Sequence, residues 1–206
     1  ATAQPFDEQT GWIARATVAP FSAKAWQAHL GINYQYVIQP NDAGMGAATR
    51  YGVQLRDRPE LRLDGTRLID TGAIDARHAS VLGLEGAFQA GPAMIEGEWF
   101  RYRIDRRTVA LPDPRFGGWY VQGSWILTGE SRVYNATDSR FDAPKLARVF
   151  DPQAGTWGAF ELAGRYSVTD LNFNEGAPGV AAAAGAIRGG EQSIWTFGLN
   201  WYLNPS

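Results

Sequence analysis

Residues 26–39 read WQAHLGINYQYVIQ. Trp26, Ala28, Leu30, Ile32, Tyr34, Tyr36 and Ile38 fall on one parity, and Gln27, His29, Gly31, Asn33, Gln35, Val37 and Gln39 on the other. Successive side chains of an extended chain point to opposite faces, so this stretch is a strand with a greasy face and a wet one. Soluble sandwiches show the same alternation, and length arbitrates. From Trp26 to Tyr36 the chain rises ~33 Å, which a tilt of about 40° reduces to ~25 Å, the height of the apolar band of an outer-membrane barrel. The aromatic residues sit where two interfacial girdles would lie.

The pattern recurs along the chain. Near the end, Trp195, Phe197, Leu199, Trp201 and Leu203 oppose Thr196, Gly198, Asn200 and Tyr202. Five large apolar side chains on one face need a deep partner sheet in water, whereas lipid supplies that partner directly. Trp119, Val121, Trp125 and Leu127 oppose Tyr120, Gln122, Ser124 and Thr128; Phe160, Leu162, Tyr166 and Val168 oppose Glu161, Arg165 and Ser167. From Ala93 onward the phase fits only if it slips near Trp99 and Phe100, which predicts a β-bulge. Nine strands are predicted, at 11–19, 26–38, 51–58, 61–71, 77–90, 93–104, 119–129, 157–169 and 194–203. The expected fold is all-β, an antiparallel transmembrane barrel with almost no room for helices.

Composition agrees. Of 206 residues 45% are hydrophobic and 24 are Gly, yet no apolar run approaches the roughly 18 residues of a membrane-spanning helix. There is no Cys, hence no disulfide framework or thiolate metal site. The net charge of −2 provides no basic field to recruit nucleic acid. Of 19 cationic residues only Lys24 and Lys145 are lysines. The rest are Arg, whose planar fork grips phosphate or carboxylate with two parallel hydrogen bonds. A proteome-wide codon preference for Arg explains the bias equally well. Residues 1–10 have neither a charged nor an apolar signal region, so a secretion signal is expected to lie upstream or to have been removed.

Turn chemistry sets the orientation. Residues 20–25 and 90–92 are tight links, whereas 39–50, 105–118 and 170–193 are long and rich in Gly, Pro, Asp and Asn. Short turns on the periplasmic rim and long loops outside is the outer-membrane arrangement. The segment 130–156 departs from it, because strand parity puts this long link on the periplasmic side.

Chemistry for catalysis is sparse. No G-x-S-x-G elbow is present, and His29 and His78 lie 49 residues apart with no metal-ligand spacing around them. His29 is expected to join a polar wall network. Neither an enzyme nor a cofactor is indicated.

Several stretches resemble one family: HLGINYQY (29–36), RPELR (58–62), LIDTG (68–72), GPAMIEGEWF (91–100), LTGE (127–130), ELAGRYS with DLN (161–172) and, most specifically, TFGLNWYLNP (196–205). Together, from about Arg15 to Pro205, they resemble the phosphate-selective porins of the porin O and P family. The resemblance implies a trimeric outer-membrane barrel of about sixteen strands in a Gram-negative bacterium, passing small anions through a cationic lumen. It also implies that residues 1–206 are part of one barrel domain, with N-terminal and last C-terminal strands outside this chain and the constriction loop largely upstream of Ala1.

With the apolar face to lipid, the expected lumenal face carries Arg15, Arg101, Arg103 and Arg165 beside Glu96, Glu98 and Glu161. A ladder of arginines in a narrow lumen replaces the water around a phosphate step by step. The bland alternative is that Arg165 and Glu161 pair across the wall. Arg56, Arg58 and Arg62 read as a solvated periplasmic rim. The link 130–156 holds Arg132, Arg140, Lys145 and Arg148 against Glu130, Asp138, Asp142 and Asp151. In the resembling family such a connection folds back into the lumen, which would make these four cations a second anion station; otherwise they form a solvated loop. The functional expectation is an anion channel, phosphate or pyrophosphate foremost, and the alternative is a structural or binding barrel plugged by its loops.

Overall fold

The structure is a computed structural model that describes residues 9–23, 26–60 and 65–205, and among these no helix occurs. In chain order the strands are β1 (Thr10–Val18), β2 (Trp26–Gln39), β3 (Gly52–Val53), β4 (Arg56–Asp57), β5 (Ile69–Asp70), β6 (Ile74–Ala90), β7 (Ala93–Arg106), β8 (Arg115–Ile126), β9 (Arg132–Asn135), β10 (Arg140–Pro144), β11 (Phe150–Asp151), β12 (Thr156–Trp157), β13 (Ala159–Phe173) and β14 (Ile187–Tyr202). The long ones form a single antiparallel sheet in the order β1-β2-β6-β7-β8-β13-β14, open at β1 and β14.

Register fixes the two faces. Leu84 stands opposite Trp99, Trp99 opposite Trp119 and Trp119 opposite Val168, and one step along β13 Tyr166 stands opposite Trp195, so large apolar side chains recur on one face from strand to strand. This face is bare. Trp26 is 55% exposed, Leu30 53%, Trp195 68% and Leu199 65%. Such a surface is intolerable in water and suited to lipid. Trp26, Leu30, Tyr36, Trp195, Leu199 and Trp201 all lie on it, as the alternation predicts. The opposite face is covered by the links 40–73 and 127–158.

Seven of the nine predicted spanning strands are present. The other two, 51–58 and 61–71, are not: only the short β3, β4 and β5 form there, and residues 61–64 lie outside the described set. The physical reason is legible afterwards. Residues 56–67, RDRPELRLDGTR, hold four arginines and three acids around a proline, and a central membrane strand tolerates neither. The bulge predicted near Trp99 and Phe100 is also absent, because β7 pairs without interruption from Ala93 to Ile104. In the main sheet the irregularities fall at Thr10/Gly11, Ala76/His78 and Asp170/Asn172, beside the rim of long loops.

The only apolar core among the described residues lies on the covered face near that rim. Ile104, Phe116, Leu171 and Ile187 of the wall pack with Ile69 and Ile74, and Val53 and Leu55 of the 40–73 link join them. The link therefore has a greasy landing pad inside the sheet, which is why its alternation mimics a lipid-facing strand.

Candidate anion-path site

Two links approach the covered face from opposite rims. The 40–73 link reaches it through Glu60, whose carboxylate accepts hydrogen bonds from Arg165 Nε at 2.8 Å, from Ser167 Oγ at 2.8 Å and from the Thr196 hydroxyl. Burial alone would raise the Glu60 pKa, but the two hydroxyl donors and the Arg165 charge outweigh it and hold the carboxyl below the usual range. Arg165 is fixed on three sides: by Glu60, by Gln122 Oε1 accepting from Nη1 at 2.9 Å, and by the Tyr120 ring, 3.5 Å beneath its guanidinium carbon. Its Nη2 has no hydrogen-bond partner among the described residues. Register brings these groups together, since Arg165 stands opposite both Gln122 and Thr196 in the wall.

The 127–158 link enters from the other rim as the β9–β10 hairpin. Tyr134 Oη meets His29 Nδ1 at 2.9 Å, the Ser139 carbonyl accepts from Arg15 Nη2 at 3.3 Å, and Gln89 Nε2 donates to the Arg132 carbonyl at 3.0 Å. Arg132 Nη2 donates to Glu161 Oε1 at 2.6 Å. Glu161 is fully buried and also accepts from Tyr202 Oη at 2.7 Å and Asn200 Nδ2 at 2.9 Å. On the far side Glu85 links Arg15 Nε at 2.9 Å to His29 Nε2 at 3.0 Å. Gly31 makes that bridge possible, because a Cβ there would collide with the Glu85 side chain.

Between and beside the links lie three clefts. One of about 440 Å³ is bounded by Arg56, Glu60, Tyr102, Tyr120 and Arg165; a second of about 330 Å³ by Glu96, Gln122, Arg132, Glu161 and Arg165. A third of about 230 Å³ touches Arg15, His29, Glu85 and Arg140. Arg165 thus faces two clefts, and the series Arg56, Arg165, Arg132 runs from the long-loop side toward the other rim. Arg67 joins the upper end: partial burial and the neighbouring charges of Arg56 and Arg58 depress its pKa, so three cations are close enough to repel one another.

The predicted residues divide accordingly. Arg15, Arg132, Arg140 and Arg165 lie on the covered face. Arg140 is tied to Asp142 at 2.9 Å and Asp138 at 3.4 Å. Lys145 and Arg148 are exposed, in the stretch between β10 and β11, with no ion pair to a described residue. Arg101 and Arg103 require correction. In the unbroken register of β7 they share a face with Ile95 and Trp99, so they point away from the clefts while Glu96, Glu98, Phe100 and Tyr102 point inward. The Arg165–Glu161 pair, the alternative to an anion-path role, does not form, since each has a partner from a different link. Arg56 and Arg58 do not lie on the rim of short turns; the link carrying them starts from the long-loop rim, and Arg62 lies outside the described residues. Sequence reading missed Glu60, Arg67 and Tyr120. The dense charges of 56–67 were the available signal. Among the described residues no group of three or more His, Cys, Asp or Glu could hold a metal ion.

Comparison with known proteins agrees with this architecture. The family model of phosphate-selective porin O and P matches residues 4–206. Porin O of Pseudomonas aeruginosa is 27% identical over 202 residues, covering 93% of this chain and 44% of its own length. An uncharacterised protein of Caulobacter vibrioides is 29% identical over 193 residues, covering 93% of this chain and 34% of its own. The chain spans less than half the length of either relative. A model matching nearly every residue, on an open antiparallel sheet with one lipid-suited face, shows that this chain belongs to the phosphate-selective porin O and P family.

Proposed function

We propose that the chain forms part of a trimeric channel in the outer membrane of a Gram-negative bacterium, through which small anions, phosphate or pyrophosphate foremost, diffuse passively. The carrying observation is Arg165. Its guanidinium is held by Glu60, Gln122 and Tyr120, its Nη2 has no hydrogen-bond partner among the described residues, and it borders two clefts. A charged fork fixed in place replaces part of an anion's hydration without moving, and its neighbouring carboxylates keep the binding loose enough for release. Arg56 above and Arg132, Arg140, Lys145 and Arg148 below supply the steps before and after it. Outer-membrane lipid is the solvent of the bare face.

A plugged barrel is the second reading, favoured by the ties that fasten both links to the wall. Single-channel conductance of the full-length protein in a planar bilayer, in chloride and then in phosphate, separates the two. A channel conducts and prefers anions, whereas a plug does not conduct. Replacing Arg165 with Ala removes both the fork and an anchor of Glu60, so anion preference and phosphate block should fall together. Arg165→Lys restores charge without the fork, so chloride-over-cation preference should return before phosphate affinity. Unchanged conductance and ion preference in the Ala variant would reduce Arg165 to a wall salt bridge.

A further inference from the structure

Arg101, Arg103 and Arg115 are exposed on the bare face, where the channel has no use for them. Register makes them a cluster: Arg103 stands directly opposite Arg115, and Arg101, opposite Gly117, is the next outward position below Arg103. Like charges facing each other across an antiparallel pair are destabilising, with Cβ atoms ~5 Å apart. Arg103 is partly compensated, since Nε donates to Asp105 at 2.8 Å and Nη2 lies 3.5 Å from Asp113. Arg101 and Arg115 have no ion pair or hydrogen bond from their side chains among the described residues.

Depth decides what they meet. Trp99 and Trp119, a directly opposed pair, end the apolar face beneath them. Arg101 is ~7 Å further along the strand and Arg103 ~13 Å, or about 5 and 10 Å of height after tilt, which is the headgroup layer just beyond an aromatic girdle. The long-loop rim to which they belong faces the cell exterior in the outer-membrane arrangement. On the adjoining strands Asp170 stands opposite Glu191 on the same face, so an anion is repelled there and confined to β7–β8.

Resting on the membrane reading proposed above, we infer that Arg101, Arg103 and Arg115 form a docking site for a phosphate-bearing glycolipid of the outer leaflet. Its phosphate lies among the three guanidiniums and its acyl chains lie against Trp99 and Trp119. Arg101 and Arg115 then gain the counter-charge that no described residue gives them, and their two forks bind the phosphate in bidentate fashion.

The test uses the full-length protein with Arg101→Gln and Arg115→Gln combined, leaving Arg103 and its acids intact. Vesicles of phosphatidylcholine containing bisphosphorylated lipid A, dephosphorylated lipid A, or neither are the probes, read by thermal unfolding and by lipid retained per protomer in mass spectrometry. Wild type is expected to retain bisphosphorylated lipid A and gain thermal stability from it alone, the double variant binding it roughly tenfold more weakly or less, with unaltered bilayer conductance. Equal retention in both proteins overturns the site. So does retention independent of the phosphates. Loss of the trimer in place of lipid overturns it as well, assigning the arginines to carboxylates such as Asp170 and Glu191 of a neighbouring copy. If the wild type fails to insert into bilayers at all, the membrane reading falls and the site with it.

Discussion

The two links that cover the inner face do similar work by different physics. The 40–73 link docks through apolar contacts: Ile69, Val53 and Leu55 sit on Ile104, Phe116, Leu171 and Ile187, and Glu60 adds one polar clamp. The β9–β10 hairpin of the 127–158 link has no such pad. It is held by Tyr134 on His29, Arg132 on Glu161 and Ser139 on Arg15 and Thr17. Apolar docking is non-directional and insensitive to salt, whereas a hydrogen-bonded dock fixes every atom but fails abruptly when one member is lost. The link bearing the apolar pad brings the densest run of arginines, so the covered face can be cationic at that level without depending on those charges for its own assembly.

The largest effect is expected where the polar dock is deepest. Glu161→Ala leaves Arg132 next to a fully buried vacancy and strips Tyr202 and Asn200 of their acceptor. Breaking a buried pair on one side costs about 3–5 kcal/mol. Because Arg132 retains some contact with solvent, the low end of that range is expected in urea unfolding of the full-length protein. Retained stability would mean that the hairpin does not need this anchor.

Ile69→Ala attacks the other link and should cost about 2–4 kcal/mol through the cavity left among well-packed neighbours. The expected channel phenotype is a noisier open state in bilayer recordings, since the link carrying Arg56 and Arg58 loosens. If the loss in Ile69→Ala is salt-sensitive and that in Glu161→Ala is not, the contrast between the two docks is wrong.

Acid sharpens the comparison at smaller cost. The Glu60 carboxyl is held below its ordinary 4.5, so its contribution to docking is complete above pH 4.5 and is lost as pH falls through the lowered value. In a titration of conductance downward from neutral pH the wild type should therefore show an acid transition below about 4.5 that Glu60→Gln lacks. The apolar pad persists meanwhile, so the link should loosen without leaving.

The smallest structural effect belongs to Arg148, exposed and without an ion pair to a described residue. Arg148→Ala should alter stability by no more than about 0.5 kcal/mol, while lowering anion preference if Arg148 is one of the steps of the path. A reversal-potential measurement under a salt gradient detects the second without the first.

How much of this was legible depends on which solvent wrote the pattern. Lipid on one side and water on the other write period two without ambiguity, so Trp26 to Ile38 and Trp195 to Trp201 could be assigned to their faces from sequence. Val53, Leu55 and Ile69 follow the same rule for another reason, because their apolar partner is the inside of the wall, and alternation cannot distinguish the two partners. The charge density and Pro59 of the intervening stretch carried the missing information. Arg101 and Arg103 fall on the wrong face because the expected phase slip at Trp99 and Phe100 does not occur, and a strand leaving the apolar band turns polar on both faces. The dense charges of 56–67 mark the stretch around Glu60 but not the residue itself, whose importance is made by Arg165, Ser167 and Thr196, more than 100 positions away in the chain.

For the channel proposed above, Arg165 pressed against Tyr120 would have a kinetic meaning as well as a structural one. A free arginine would follow a departing phosphate outward, stretching its reach and prolonging each encounter. Stacked on a ring and tethered at two nitrogens, this one stays where it is, so an anion that moves half its own diameter has already left. In the channel proposed above, dwell time would then be set by how far the ion must travel before the next cation attracts it, and throughput would be a property of the spacing between arginines more than of the strength of any one of them.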